Sequence, residues 1–478
     1  MKKTLKLAGL LLALVMVISA LPIMASADDP EYTITVTNAV DGKVYSAYKI
    51  FDIESLDTTD PTDVKATYKV LDPNPVASLF TTEKDGLGDA CFVIDEQGYV
   101  TEVEGGADPA DLAAFAKAAL ALVETGTADA SATATGDPCV ATIDVGEDGY
   151  FLVDSTIGSL CILASSAKTA TIAEKNTEPT VTKTVTAIGA DTTDKATASI
   201  GEVVSYSVAI TADEGAENYV YTDKMDAGLT WSGSVVVNDG TADLAAGDDY
   251  TLVTTGLGTG ETFKVVFDQD YLDTIAAPTT ITITYTATVN ENAISDTGSI
   301  DNSADLTYGD DGVAETSTAS INTYSFDVVK TDASGNVITG AQFKLYDAAT
   351  GGNEIKVVKL ADGSYRVALS TETGVAIDAG EANIDGLGNG TYYLEETKQP
   401  DGYNKLNERK AVTINGADNL ATVTSNVYST GGLQVINQAG SLLPETGGMG
   451  TTILYVVGAI LVIGAGVLLV SKKRMAAK

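Results

Sequence analysis

Over most of its length this chain alternates apolar and polar residues one for one, the period of a strand with a single buried face. Tyr32-Thr33-Ile34-Thr35-Val36 is the first such stretch, and Val44 to Phe51 follows after a turn containing Gly42. One stretch departs from this period. Asp108 is a good N-cap, Pro109 suits the first helical position, and an Ala/Leu-rich run leads to Gly126, which predicts a helix. Tyr150-Phe151-Leu152-Val153 then reads as strand again. Beyond it, Val203 to Ile210, Tyr219 to Thr222, Phe263 to Phe267 and Thr279 to Val289 are Val/Ile/Thr/Tyr runs divided by Gly, Asp and Asn. Their spacing predicts an antiparallel sandwich of immunoglobulin-like form. Phe326 to Lys330, Phe343 to Tyr346, Tyr392 to Glu396 and Leu433 to Asn437 repeat the pattern. The chain therefore divides into domains at about 28–176, 177–323 and 324–440, mainly β, with a helical insertion in the first. Aromatic residues make up only 6%, so thin cores are expected.

The two ends break the alternation with unbroken apolar runs. Lys2, Lys3 and Lys6 precede Leu7 to Ile23, and Ala25-Ser26-Ala27 follows. This is the layout of a secretory signal peptide, with cleavage expected after Ala27. Near the other end, Ile453 to Val470 is apolar or small throughout, and Lys472, Lys473 and Arg474 come directly after. Such a run is just long enough to cross a bilayer as a helix. Its basic end marks the side that stays in the cytoplasm. Leu443-Pro444-Glu445-Thr446-Gly447 stands just before it. This order of motif, apolar span and basic tail, over 441–478, resembles the cell-wall sorting signal of Gram-positive surface proteins. The resemblance implies that a sortase, a membrane transpeptidase, cuts between Thr446 and Gly447 and passes the Thr446 carbonyl to an amine.

Charge and the reactive residue types narrow the possibilities. The chain has 28 Lys and Arg against 66 Asp and Glu. Seven of the basic residues lie in the two processed ends, which hold no acid, leaving 21 against 66 and a net charge of −45. So acidic a surface repels nucleic acid and anionic lipid and favours solubility. The chain contains no His, which removes His-based catalysis and His metal ligands. No calcium loop of EF-hand type and no Cys-x-x-Cys occurs, so no metal or other cofactor is expected. Cys91, Cys139 and Cys161 allow one disulfide between two of them, with the pairing open.

Strand parity places several charged residues on apolar faces. Side chains at i, i+2 and i+4 share a face. Lys183 therefore points with Val181 and Val185, Asp223 with Tyr219 and Tyr221, and Asn302 with Ile300, Ala304 and Leu306. Further on, Lys330 points with Phe326 and Val328, Glu396 with Tyr392 and Leu394, and Asn437 with Leu433 and Val435. The order is the same twice: Lys near the first strand, an acid midway, Asn in the last. A buried, unpaired charge costs several kcal/mol, so two matched sets need a purpose. Each set could be a buried ion pair beside an Asn, or could sit at edges facing water. The chemical reading is an intramolecular Lys–Asn isopeptide bond. Desolvation favours a neutral amine and a neutral acid. The amine attacks the Asn carboxamide, and the acid polarises the carbonyl and relays protons to departing ammonia.

These residues also carry a family resemblance. Tyr392-Tyr-Leu-Glu-Glu-Thr-Lys-Gln-Pro-Asp-Gly-Tyr403 resembles the E-box of collagen-adhesin B-type domains in Gram-positive pilins, with Glu396 matching its acid. Val328-Val-Lys-Thr-Asp332 resembles their first strand and Val435-Ile-Asn437 their last. Ile200-Gly-Glu-Val-Val-Ser-Tyr206, Asp223-Lys-Met-Asp-Ala-Gly-Leu229 and Asp301-Asn-Ser-Ala304 are similar to the middle domain of fimbrial backbone subunits. The resemblance implies three tandem β-sandwich domains of immunoglobulin-like or collagen-adhesin B type, and isopeptide bonds Lys183–Asn302 and Lys330–Asn437. It also implies an acceptor lysine just before the middle domain. Lys175-Asn176 stands there, followed by the linker Thr177-Glu178-Pro179, although Ala173-Glu174 replaces the Tyr-Pro usual in the family. Lys168 is the fallback. Lys175 is expected to be exposed, because Thr171, Ala173 and Lys175 form no apolar stripe.

The chain thus reads as a non-enzymatic structural subunit of a covalent pilus, secreted and anchored to the cell wall after a transient membrane stage. The partners implied are a pilus-specific sortase, further copies of the chain, ancillary pilins and peptidoglycan. The alternative is a monomeric wall-anchored adhesin. A surface hydrolase is disfavoured because neither a Ser/His nor a Cys/His pair can form without His.

Overall fold

The computed structural model describes residues 32–57, 59, 65–167, 169–189, 191, 196–294, 299–310, 312–416, 432–441 and 449–476. The expected signal peptide, Lys168 and the Leu443–Gly447 motif lie outside the described residues.

Strands fall into three groups along the chain. In the first, β1 (Thr33–Thr37) lies between β3 (Val140–Asp144), antiparallel, and β6 (Thr169–Ala173), parallel. A larger sheet is built around the long β2 (Val44–Asp57), which pairs with β4 (Gly149–Ser155), and β4 with β5 (Gly158–Ser166). Helix α1 (Pro109–Val123) starts as its sequence predicts, with the Asp108 side chain accepting from the Ala110 N–H at 2.8 Å. Its Leu112, Phe115, Ala119 and Leu120 bury against Phe51, Phe92 and Leu152, a core separate from that of the small sheet.

The second group forms two facing sheets. β7 (Val181–Ile188), β8 (Val203–Ala212), β13 (Thr279–Val289) and β10 (Leu229–Asn238) make one, in the order β7-β8-β13-β10. β11 (Tyr250–Val253), β12 (Phe263–Phe267), β9 (Val220–Met225), β14 (Ile300–Tyr308) and β15 (Val313–Ile321) make the other, in the order β11-β12-β9-β14-β15. Every ladder here is antiparallel, as the spacing predicts.

The third group departs from that pattern. β16 (Tyr324–Thr331), β18 (Val357–Lys359), β19 (Tyr365–Val367), β20 (Glu381–Leu387) and β23 (Leu433–Ile436) form a sheet in the order β18-β19-β20-β16-β23. β17 (Ala341–Tyr346), β21 (Gly390–Lys398) and β22 (Lys410–Ile414) belong to the facing sheet. Its first and last strands, β16 and β23, run parallel, with Lys330 opposite Val435. Alternation reveals which face a strand buries but not which strand it pairs with or in which direction, so this pairing could not be read from the pattern.

The junctions between groups are closely fitted. The Ser159 N–H donates to the Gly215 carbonyl at 3.0 Å, and Lys117 on α1 meets Asp273 at 2.5 Å. Gly215 has φ +86° and lies so near Leu160 that a Cβ there would come within 2.6 Å of its Cγ. Between the second and third groups, the Gly388 N–H donates to Ser199 Oγ and the Asn389 N–H to Thr197 Oγ1, both at 3.0 Å. At the C-terminal end, α2 (Met449–Met475) is long and apolar enough to cross a membrane from Gly450 onward, and its apolar side chains are exposed.

Candidate functional site

Parity alone put six polar residues on inward faces, and the structure buries all six. Lys183 is 4% exposed, Lys330, Asp223, Asn302 and Asn437 are 0%, and Glu396 is 1%. Each group gathers its own three.

In the second group, Lys183 comes from β7, while Asp223 and Asn302 come from β9 and β14 of the facing sheet. β9 and β14 are neighbours, with Asp223 opposite Ala304 and Met225 opposite Asn302. Lys183 Nζ donates to Asp223 Oδ2 at 2.6 Å, to the Ser303 carbonyl at 3.0 Å and to Asn302 Oδ1. Burial pulls the Lys183 ammonium down to about 8, against the opposing pull of Asp223. About a tenth of the amine is then neutral at pH 7, far more than for an ordinary lysine, and the neutral form is the nucleophile.

Three tyrosines complete this site. Tyr221 Oη and Tyr285 Oη donate to Asp223 Oδ2 at 2.9 and 2.5 Å, and Asn302 Nδ2 donates to Tyr285 Oη at 3.2 Å. Nζ stands 5.7 Å from the Tyr206 ring centre and 5.4 Å from that of Tyr285. The sequence reading noticed Tyr221 only as a parity marker and missed Tyr206 and Tyr285. Both sit on the inward parity of long alternating strands, where a Tyr hydroxyl needs a buried polar partner. That was the available signal.

In the third group the division is reversed. Lys330 and Asn437 stand on one sheet at the parallel pairing of β16 with the end of β23, and Glu396 reaches them from β21 in the facing sheet. Lys330 Nζ donates to the backbone carbonyls of Val435 and Thr331 at 3.1 and 3.2 Å. Asn437 Nδ2 donates to Glu396 Oε1 at 2.8 Å, and the Leu406 N–H holds Glu396 Oε2 at 2.7 Å. Asn437 Oδ1 is buried without a hydrogen-bond partner, an acceptor left open in a site that contains a buried amine. Burial lowers Lys330 to about 8, opposed chiefly by Glu396.

Lys175 differs from expectation: it is half-buried, not exposed. The cause is the fold of its neighbours. Glu174 Oε1 accepts from the backbone N–H groups of Lys175 and Asn176 at 2.7 and 2.8 Å, and the Asn176 amide is bonded to Leu160 and Ser155. The segment is thereby drawn into the first junction, where Lys175 lines a cavity of about 290 Å³ with Ala113, Lys117, Cys161, Glu214 and Asp273. The three cysteines are free thiols, so the one disulfide the sequence allowed is not formed. Cys139 packs against a different core from Cys91 and Cys161. Burial pushes Cys91 up to about 11 and Cys161 to about 12.

Comparison with known proteins follows these divisions. Residues 436–476 match the LPXTG cell wall anchor motif. Residues 200–312 match the Gram-positive pilin backbone subunit 2, Cna-B-like domain, and residues 324–428 the SpaA prealbumin-like fold domain. The chain is therefore a cell-wall-anchored Gram-positive surface protein with a transient membrane anchor. Within that class, residues 200–312 carry the signature of a Gram-positive pilin backbone subunit. No curated protein matches it by sequence. Among solved structures, the T6 backbone pilin of serotype M6 Streptococcus pyogenes is similar in fold, at 18% identity and a TM-score of 0.50 over 82% of this chain and 81% of that one. The full-length major pilin SpaD from Corynebacterium diphtheriae is similar at 16% identity and a TM-score of 0.50, over 86% of this chain and 98% of that one.

Proposed function

We propose that this chain is the repeating subunit of a covalent pilus shaft. Its domains span about 28–176, 177–323 and 324–440, and two are braced by isopeptide bonds, Lys183–Asn302 and Lys330–Asn437. The observation that carries this reading is the burial, twice, of a Lys, an acid and an Asn within one site, with each amine lowered to about 8. Nζ attacks the Asn Cγ, the acid takes up and returns a proton, and ammonia leaves. The fold holds the groups together, so no outside enzyme is needed. That single turnover is the chain's only chemistry.

Polymerisation belongs to a pilus-specific sortase. It holds the chain by Thr446 as an acyl-enzyme, and Lys175 of the next copy resolves it, giving a head-to-tail fibre. The half-buried Lys175 is met inside the junction cavity, so the acceptor geometry depends on the first and second strand groups together. Ancillary pilins join by the same chemistry, and the finished polymer passes to peptidoglycan. The test is a mass and ladder experiment. The secreted chain should weigh two ammonias, ~34 Da, less than its sequence requires. Cell-wall extracts should give SDS-resistant ladders in which Thr446 is joined to the Lys175 side chain. Lys175→Ala should leave wall-bound monomers. Normal ladders from that variant would move the acceptor to Lys168, and an absence of ladders from the unaltered chain would favour the monomeric adhesin.

A further inference from the structure

The two buried sites differ in how the acid reaches the nitrogen that must leave. In the third group Glu396 Oε1 touches Asn437 Nδ2 directly, at 2.8 Å. In the second group the acid is an Asp, one methylene shorter, and its hydrogen bonds run to Lys183, Tyr221 and Tyr285. Tyr285 Oη stands between acid and amide, 2.5 Å from Asp223 Oδ2 and 3.2 Å from Asn302 Nδ2. Tyr221 Oη reaches the same carboxyl oxygen at 2.9 Å and Tyr285 Oη at 3.3 Å, and among the described hydrogen bonds it does not reach Asn302. We propose that Tyr285 is a catalytic proton carrier for the Lys183–Asn302 bond, spanning the gap that Glu396 closes by its own length in the other site.

This rests on the reading that the bond forms, and its chemistry balances within the site. Neutral Lys183 Nζ forms a bond to Asn302 Cγ, and the carbonyl electron pair moves onto Oδ1. Asp223 takes one proton from the new nitrogen. It passes a proton from Oδ2 to Tyr285 Oη while Tyr285 gives its own hydroxyl proton to Nδ2. The Cγ–Nδ2 bond breaks, its electron pair leaves with nitrogen as ammonia, and the carbonyl re-forms. One proton leaves the lysine and one reaches the asparagine nitrogen, so no other reactant is required. Burial raises the Tyr285 hydroxyl far above its usual range, so Tyr285 is neutral at the start and at the end of this exchange.

The hydroxyl can be tested apart from the ring. The ring stacks on Tyr206 at 5.5 Å and meets Phe263 edge-on at 5.1 Å, contacts that a Phe retains. Tyr285→Phe and Tyr221→Phe are made in the secreted chain, and peptides joining Lys183 to Asn302 are followed over time by mass spectrometry. The peptide joining Lys330 to Asn437 serves as an internal control. Tyr285→Phe should slow the first crosslink by about 10²-fold or more, the usual worth of a positioned proton donor. It should leave the control crosslink complete, and Tyr221→Phe should form both. A Tyr285→Phe chain that crosslinks at the unaltered rate would overturn the proposal, as would equal slowing by both variants. If Tyr285→Phe fails to fold, a fluorotyrosine at 285, near-isosteric with a more acidic hydroxyl, should change the rate, and an unchanged rate overturns the carrier. Absence of the Lys183–Asn302 peptide from the unaltered chain would instead remove the crosslink itself.

Discussion

The second and third strand groups bury the same three residue types and share them between sheets in opposite ways. In the second, the acid and the amide lie on neighbouring strands, and the lysine comes across from the facing sheet. In the third, the lysine and the amide lie at the pairing of parallel strands, and the acid comes across. The proposed bond is then a staple between sheets in one case and between the first and last strands of one sheet in the other. The two also differ in what they leave outside. A Lys183–Asn302 bond closes the loop before β15, which stays outside it, held by its ladder to β14 and by the Lys183 N–H donating to Ser317 Oγ at 2.9 Å. A Lys330–Asn437 bond encloses every strand of its group after β16. A crosslinking site is thus defined by which three side chains meet, and the mechanical result by which strands carry them.

The surroundings of the two acids offer the strongest way to break this comparison. The donors onto Asp223 are all side chains, which can turn elsewhere, whereas a donor onto Glu396 is the backbone N–H of Leu406. Glu396→Ala should therefore lose its crosslink and also strand a backbone donor. The proposed crosslink over about a hundred residues would contribute about 4–5 kcal/mol by analogy with disulfide loops, and the stranded donor would cost a further ~1–3 kcal/mol. Thermal melts should place Glu396→Ala below Lys330→Ala, with added protease cleavage near Leu406. Equal melts would show that the Leu406 contact contributes nothing.

Next in size are the lysines themselves. Lys183→Ala and Lys330→Ala should each restore ~17 Da and each cost about 4–5 kcal/mol, because the two loops are similar in length. A large difference between them would mean that sheet placement affects stability as well as mechanics.

The smallest effect is the pH dependence of the uncrosslinked site. Folding lowers Lys183 from 10.5 to about 8, so between these values the unfolded chain binds more protons than the folded one. Stability must then rise with pH across that window, and the burial penalty is present in full below about pH 8. Comparing Asn302→Ala with Asn302→Ala/Lys183→Met in urea should isolate this term. The difference should shift in favour of the lysine-containing chain by on the order of 2 kcal/mol from pH 7.5 to pH 10. A flat difference would show that Lys183 is no longer held apart from water once Asn302 is removed.

What the sequence determined by itself is what depends on local period. The alternating runs became strands, Asp108 and Pro109 started the helix, and six polar residues on apolar parity were buried. Parity is a property of one strand, so it survives any arrangement of the others. The grouping of Lys, acid and Asn was legible because the same order occurs twice. Pairing was left to the tertiary structure, because ladder direction and strand neighbours depend on distant segments competing for one edge. That is why the parallel pairing of β16 with β23, and the opposite division of the two sites, could not be read beforehand. Lys175 shows the same limit: its neighbourhood offers no apolar stripe, yet Glu174 and Asn176 draw it into a junction formed by residues about fifteen and about sixty positions before it and about forty and about a hundred after it. Tyr285 belongs with it. Only the packing of one sheet on the other brings its hydroxyl between Asp223 and Asn302.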